Sequence, residues 1–151
     1  MTDYTLLTKT LSAVIADDDD KISVLANTAA LLNEHLPHIN WVGFYLLKGN
    51  VLTLGPFQGK VACTRIPVGR GVCGSAVAQR TILRVANVHT FADHIACDSA
   101  SQSEIVLPIF CQDQIIGVLD IDSPHLDHFT ANDEQGLAEI VARLSAHLSK
   151  I

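Results

Sequence analysis

Apolar residues at Leu7, Leu11, Val14 and Ile15 recur at three- and four-residue spacing and predict a helix over residues 3–16. Asp17 to Asp20 interrupt the pattern. A second helical pattern follows through Ile22, Leu25, Ala29, Leu32 and Leu36. Acidic residues suit the positive end of a helix dipole, so the aspartate run reads as a solvated helix start. A calcium loop needs carboxylates at alternate positions and a glycine, and the run has neither.

From Asn40 the texture changes to that of strands. Residues 41–47, rich in aromatics, and residues 51–54 predict a hairpin around Lys48, Gly49 and Asn50. A third strand is expected over residues 61–66, stopped by Pro67, with Cys63 in its middle. A short helical stretch over 72–80 and a fourth strand over 82–85 come next. Residues 105–111 and 115–121 form another hairpin, with Gln112 and Asp113 at the turn. A last helix over 132–148 is apolar at Leu137, Ile140, Val141, Leu144 and Leu148, and Thr130 with Asp133 marks its start. Helices segregated from antiparallel hairpins indicate one α+β domain over residues 1–151, with the N- and C-terminal helices on one face of the sheet. Residues 86–103 carry no sustained period. So long a loop suggests a lid or binding loop, and it holds Cys97.

Composition narrows the function classes. Of 151 residues 48% are apolar and 17% charged, against about 25% charged in an average globular domain, so the chain is no disordered segment. A net charge of −6 argues against nucleic acid and anionic membranes as partners, because both need clustered Lys and Arg. No apolar run is long enough to span a bilayer, and the amino terminus lacks the basic segment of a signal peptide. A cytoplasmic location is expected. In a reducing compartment the four cysteines are not permanent staples, which leaves metal binding, redox chemistry or burial.

Gly69 to Gly74 spells GxGxxG, but the neighbouring strands look hairpin-connected rather than βαβ, so a tight turn is the simpler reading. Cys63, Cys73, Cys97 and Cys111 lack the short spacings of zinc sites. His89, His94, His125 and His128 could supplement them, although His125 and His128 sit in a turn; no metal is expected. Cys111 reads as a buried small residue. Cys73, at a helix start, is where backbone N–H groups favour a thiolate. Cys97, in the polar loop, is the cysteine most open to solvent. Acids within strands are less expected. With the turn at Gln112 and Asp113, Glu104 and Asp122 fall near each other at the open end of the hairpin, and Asp120 is close by. Such a cluster is either a set of solvated strand ends or a cation pocket whose acids have raised pKa values.

These residues also sit in recognisable strings: Trp41-Val-Gly-Phe-Tyr, Leu54-Gly-Pro-Phe-Gln-Gly-Lys-Val-Ala-Cys63, Ile66-Pro-Val-Gly-Arg-Gly-Val-Cys-Gly74, Val88-His89, Cys97-Asp-Ser-Ala-Ser-Gln-Ser-Glu104 and Gly117-Val-Leu-Asp-Ile-Asp-Ser-Pro124. Along most of its length the chain resembles the free methionine-(R)-sulfoxide reductases, small enzymes with a GAF fold. The resemblance implies that Cys97 is the nucleophile and that Cys63 and Cys73 supply resolving thiols, Cys63 first. It places Trp41, Glu104, Asp120 and Asp122 in the substrate pocket and leaves Cys111 outside the functional set. No functional position departs from the family's pattern.

The resemblance further implies a redox-active disulfide, no bound cofactor, thioredoxin as reductant and a part in resistance to oxidative stress. Expected partners are free methionine-(R)-sulfoxide and thioredoxin, with a homodimer left open. The competing reading is a GAF sensor module that binds a small effector without chemistry, which leaves the cysteines unexplained.

Overall fold

The computed structural model describes residues 1–93, 95 and 99–151. Helix α1 (Tyr4–Ile15) begins at Asp3, whose carboxylate accepts a hydrogen bond from the Leu6 amide at 3.0 Å. Helix α2 (Lys21–His35) begins at Asp20, which caps the Ser23 amide at 3.1 Å. The last of the four aspartates is thus a helix cap, satisfying an amide that the first turn leaves without a carbonyl. Strands β1 (Trp41–Lys48) and β2 (Val51–Gly59) form the first hairpin, and β3 (Arg65–Pro67) adds to its edge. Helix α3 (Gly71–Gln79), strand β4 (Leu83–Val85) and a 3-10 turn (Val88–Thr90) lead to the hairpin of β5 (Ser103–Cys111) and β6 (Gln114–Ser123). Its two turn residues, Gln112 and Asp113, both have positive φ, as a two-residue hairpin turn requires. Helix α4 (Ala131–Leu148) closes the chain with a complete capping box between Thr130 and Asp133.

The six strands form one antiparallel sheet in the order β3-β2-β1-β6-β5-β4. Alternation along the strands assigns its two faces. Val42, Phe44, Ile105, Leu107, Ile109, Leu119 and Ile121 point into a core shared with α1, α2 and α4, as the sequence predicts. Trp41, Tyr45, Val106 and Val118 point to the other face, where α3 packs through Val72, Cys73, Ala76 and Val77.

One strand differs from expectation. Residues 61–64 are not in a strand, and β3 is only Arg65–Pro67. Strand β2 instead runs on to Gly59 by way of a bulge: from Gly43 to Tyr45 β1 advances two residues while β2 advances three, from Leu54 to Phe57. Pro56 lies in that bulge, beyond the stretch where β3 pairs, so its missing N–H costs no ladder bond on that side. The chain then needs residues 60–64 to turn back. Cys63 therefore stands in an irregular segment, and Val61 beside it is 89% exposed. The glycine string behaves as read: the Gly69 amide donates to the Gly74 carbonyl at 2.8 Å, and a Cβ on Gly74 would lie 2.4 Å from the Pro67 carbonyl oxygen.

Candidate active site

Adjacent strands bring the site together. Asp122 on β6 pairs with Trp41 of β1 on one side and Glu104 of β5 on the other, so the three share one row across the sheet. One row further in, Asp120 stands between Gly43 and Val106. All of these lie on the α3 face. A pocket opens over them, bounded by Trp41, Tyr45, Cys73, Glu104, Asp120 and Asp122.

The aromatic wall is a stack. Trp41 lies 5.2 Å from Phe57 and 5.8 Å from Tyr45, with rings within about 22° of parallel. Gly43, between Trp41 and Tyr45 on the same face, makes this stack sterically feasible: a Cβ there would sit 2.3 Å from the Phe57 Cβ and 2.8 Å from the Trp41 ring. Both aromatics also hold the segment that carries Cys63. The Trp41 indole N–H donates to the Lys60 carbonyl at 3.1 Å, and the Tyr45 hydroxyl donates to the Cys63 carbonyl at 2.9 Å.

The acidic wall is buried. Glu104 is 6% and Asp120 5% exposed, and Asp122 is half-buried, so these are not solvated strand ends. Burial, then the charges of Asp120 and Asp122, holds the Glu104 carboxyl well above its ordinary value. Burial raises Asp120 as well, while hydrogen bonds from Glu104 and Cys73 pull it back in part. Like charges this close in a low-dielectric pocket cannot all ionise, so the Glu104–Asp120 pair retains a proton as a unit. One oxygen of Asp120, Oδ1, is buried with no hydrogen-bond partner among the described residues. A buried acceptor left unpaired is a place for a ligand's donor.

Cys73 differs from expectation. It is the third residue of α3, yet burial and the neighbouring Asp120, Glu104 and Asp122 charges hold its thiol well above the usual range. Desolvation and three carboxyls outweigh the helix N-terminus, so Cys73 is a neutral thiol rather than a thiolate. Its sulfur and oxygens of Glu104 and Asp120 lie within 4.8 Å of one another, a set chemically able to ligate a cation. Cys63 is disulfide-bonded, whereas Cys73 and Cys111 are free thiols. Cys111 is half-buried beside Ser145 of α4, away from the pocket. Cys97 lies outside the described residues. Trp41, Glu104, Asp120, Asp122 and Cys73 are thus gathered in one pocket. Tyr45 lines it too; its signal in the sequence was alternation with Trp41 on one strand face, which aromatic richness alone did not exploit.

Comparisons place this geometry in a family. The GAF domain family matches residues 20–148. The free methionine-R-sulfoxide reductase of Escherichia coli (strain K12) is 56% identical over 146 residues, 97% of this chain and 88% of the relative. The fRMsr of Staphylococcus aureus in complex with substrate superposes with a TM-score of 0.94 at 54% identity, covering 98% of this chain and 97% of that one. The free methionine-R-sulfoxide reductase of Neisseria meningitidis in complex with its substrate gives 0.94 at 46% identity, covering 97% and 90%. No helix among the described residues is long and apolar enough to cross a membrane. At these identities and coverages the chain belongs to the free methionine-(R)-sulfoxide reductase family of GAF-domain proteins.

Proposed function

We propose that the protein reduces free methionine-(R)-sulfoxide to methionine, with Cys97 as nucleophile, Cys63 as the first resolving thiol and thioredoxin as the reductant. The observation that carries this reading is the pairing of Asp122 with both Glu104 and Trp41, which sets acids beside an aromatic surface. A free amino acid brings an ammonium group for the acids and a methyl group for the indole face. The unpartnered Asp120 Oδ1 adds an acceptor for that ammonium. A methionine within a chain has no ammonium and would leave these buried acids unpaired, which is a strong basis for rejecting it.

The chemistry balances with groups of this chain. The Cys97 thiolate attacks the sulfoxide sulfur while the oxygen takes a proton from the Glu104–Asp120 pair, whose affinity for that proton burial raises. The substrate S–O bond breaks as the protonated oxygen passes to the Cys97 sulfur, so methionine departs and Cys97 is left as sulfenic acid; a second thiol then condenses with it, forming a disulfide and releasing water. Cys63 serves first: it is disulfide-bonded and its backbone is held at the pocket by Tyr45. Cys73, a neutral thiol beneath the acids, is the further resolving thiol. Thioredoxin returns the disulfide to two thiols by exchange. The protein acts in the cytoplasm, where that reductant keeps thiols reduced.

Turnover of the separated sulfoxide epimers, free and peptide-bound, with a thiol reductant tests the reading. Consumption of the free R epimer alone, lost in Cys97→Ser, is expected; full turnover by Cys97→Ser would overturn the assignment of the nucleophile.

A further inference from the structure

Three histidines meet at the end of the sheet, outside the pocket. His38 comes from the α2–β1 connection, and His125 and His128 come from the β6–α4 connection. Their ring centres lie 5.0 Å (His38–His125), 6.0 Å (His125–His128) and 6.1 Å (His38–His128) apart. None of the three lines the pocket over Glu104 and Asp120. His38 and His125 are exposed and His128 is half-buried, so an ion in solvent has access.

We propose that His38, His125 and His128 form a binding site for a borderline divalent transition-metal ion, zinc above all, independent of the reductase pocket. Three points with those separations lie on a circle of radius about 3.3 Å. A zinc–imidazole bond of about 2.1 Å places each ring centre about 3.2 Å from the metal. The ring centres therefore stand at the radius of a shared ion, while the ring nitrogens do not yet converge: among the described residues the set whose ligand atoms already lie within 4.8 Å of one another is Cys73, Glu104 and Asp120. His38 now stacks on His125 at 24°, and turning an imidazole about its Cβ–Cγ bond re-aims its nitrogens while leaving its centre almost in place. Three imidazoles suffice for zinc and leave a fourth position for water, and nitrogen donors select zinc, nickel or copper over magnesium and calcium.

Two further observations support a prepared site. The His128 Nε2 lies 3.0 Å from the Pro37 carbonyl oxygen. Only an N–H can bond there, so in the neutral ring Nδ1 keeps its lone pair, the arrangement by which a backbone carbonyl fixes the tautomer of a ligating histidine. The backbone of the trio is also tied down. Ser123 Oγ donates to the His38 carbonyl at 2.7 Å and Ser103 Oγ donates to the His125 carbonyl at 2.6 Å. The His125 amide donates to Ser123 Oγ at 3.1 Å and the His128 amide to Ser103 Oγ at 3.3 Å. Ser103 and Ser123 are fully buried and pair with each other across β5 and β6.

Titration calorimetry of the protein with its disulfide intact is the test, using zinc chloride and, in parallel, magnesium chloride. Zinc binding by the wild type, at least ten-fold weaker in His38→Ala, His125→Ala and His128→Ala but retained in His89→Ala and Cys73→Ser, is expected; magnesium should give no heat of binding. A zinc-dependent rise in Tm, absent in His125→Ala, should accompany it. Unchanged zinc affinity in the three histidine variants, or loss of binding in Cys73→Ser instead, would overturn the proposal.

Discussion

Glu104 faces Asp122 directly across the β5–β6 pair, two carboxyls at one cross-strand position where like charges ordinarily destabilise a sheet. Glu104 is almost wholly buried there, and Asp120 is buried one row away. Burial and the neighbouring carboxyls both favour the protonated form of Glu104.

Glu104→Gln and Asp122→Asn should therefore lower kcat/KM by about 100-fold or more, the range for loss of a positioned acid. Neither variant should unfold at lower urea than the wild type, because each leaves a neutral group of the same shape among the buried carboxyls. Wild-type kinetics in both would return the acidic row to a passive role.

The raised Glu104 pKa also sets a pH dependence of stability. Its folded value lies above the ordinary 4.5, so between those two values the native state binds more protons than the unfolded chain. Stability from this group is then full below the unfolded value and declines as pH rises through the folded one. Chemical unfolding across a pH series should show Glu104→Gln gaining on the wild type from about pH 4.5 upward. A difference independent of pH would contradict the protonation of this acid.

Gly43 is a steric requirement of the aromatic stack. Gly43→Ala places a methyl group 2.3 Å from the Phe57 Cβ, so the strand or the stack must shift. Destabilisation of about 1–3 kcal/mol is expected from such overpacking, with a rise in KM as the Trp41 surface is displaced. Urea unfolding and steady-state kinetics read the two effects separately.

Cys73 should be slow to react. Buried at 4% exposure and held neutral by its surroundings, it should be alkylated by iodoacetamide at pH 7 at least ten-fold more slowly in the folded protein than in urea. Mass spectrometry of tryptic peptides measures this site by site, and equal rates would show that the thiol is open.

Much of this architecture was legible along the chain because its signals are local. The period of apolar residues marks helices and strands, and Asp20 and Thr130 announce the helix starts they cap. The turn at Gln112 and Asp113 brings Glu104 and Asp122 near each other by counting, but counting alone pairs Glu104 with Ile121; the irregularity between Ile109 and Phe110 shifts the register by one and sets Glu104 opposite Asp122. The β2 bulge was not legible either, because Gly55 and Pro56 look like an end to a strand when the partner that absorbs them is out of view.

By itself, then, the chain's order of residues determined most of the elements, the hairpin turns and the acids that come to share a sheet end, since each depends on neighbours a few positions away, whereas the bulges that fix the final registers depend on the partner strand. Tertiary structure alone decided which of those acids keep a proton and that Cys73 is a neutral thiol despite its helix start. It also decided that His38 meets His125 and His128. Desolvation and through-space charge are supplied by atoms from other elements, and no local spacing encodes which atoms those will be.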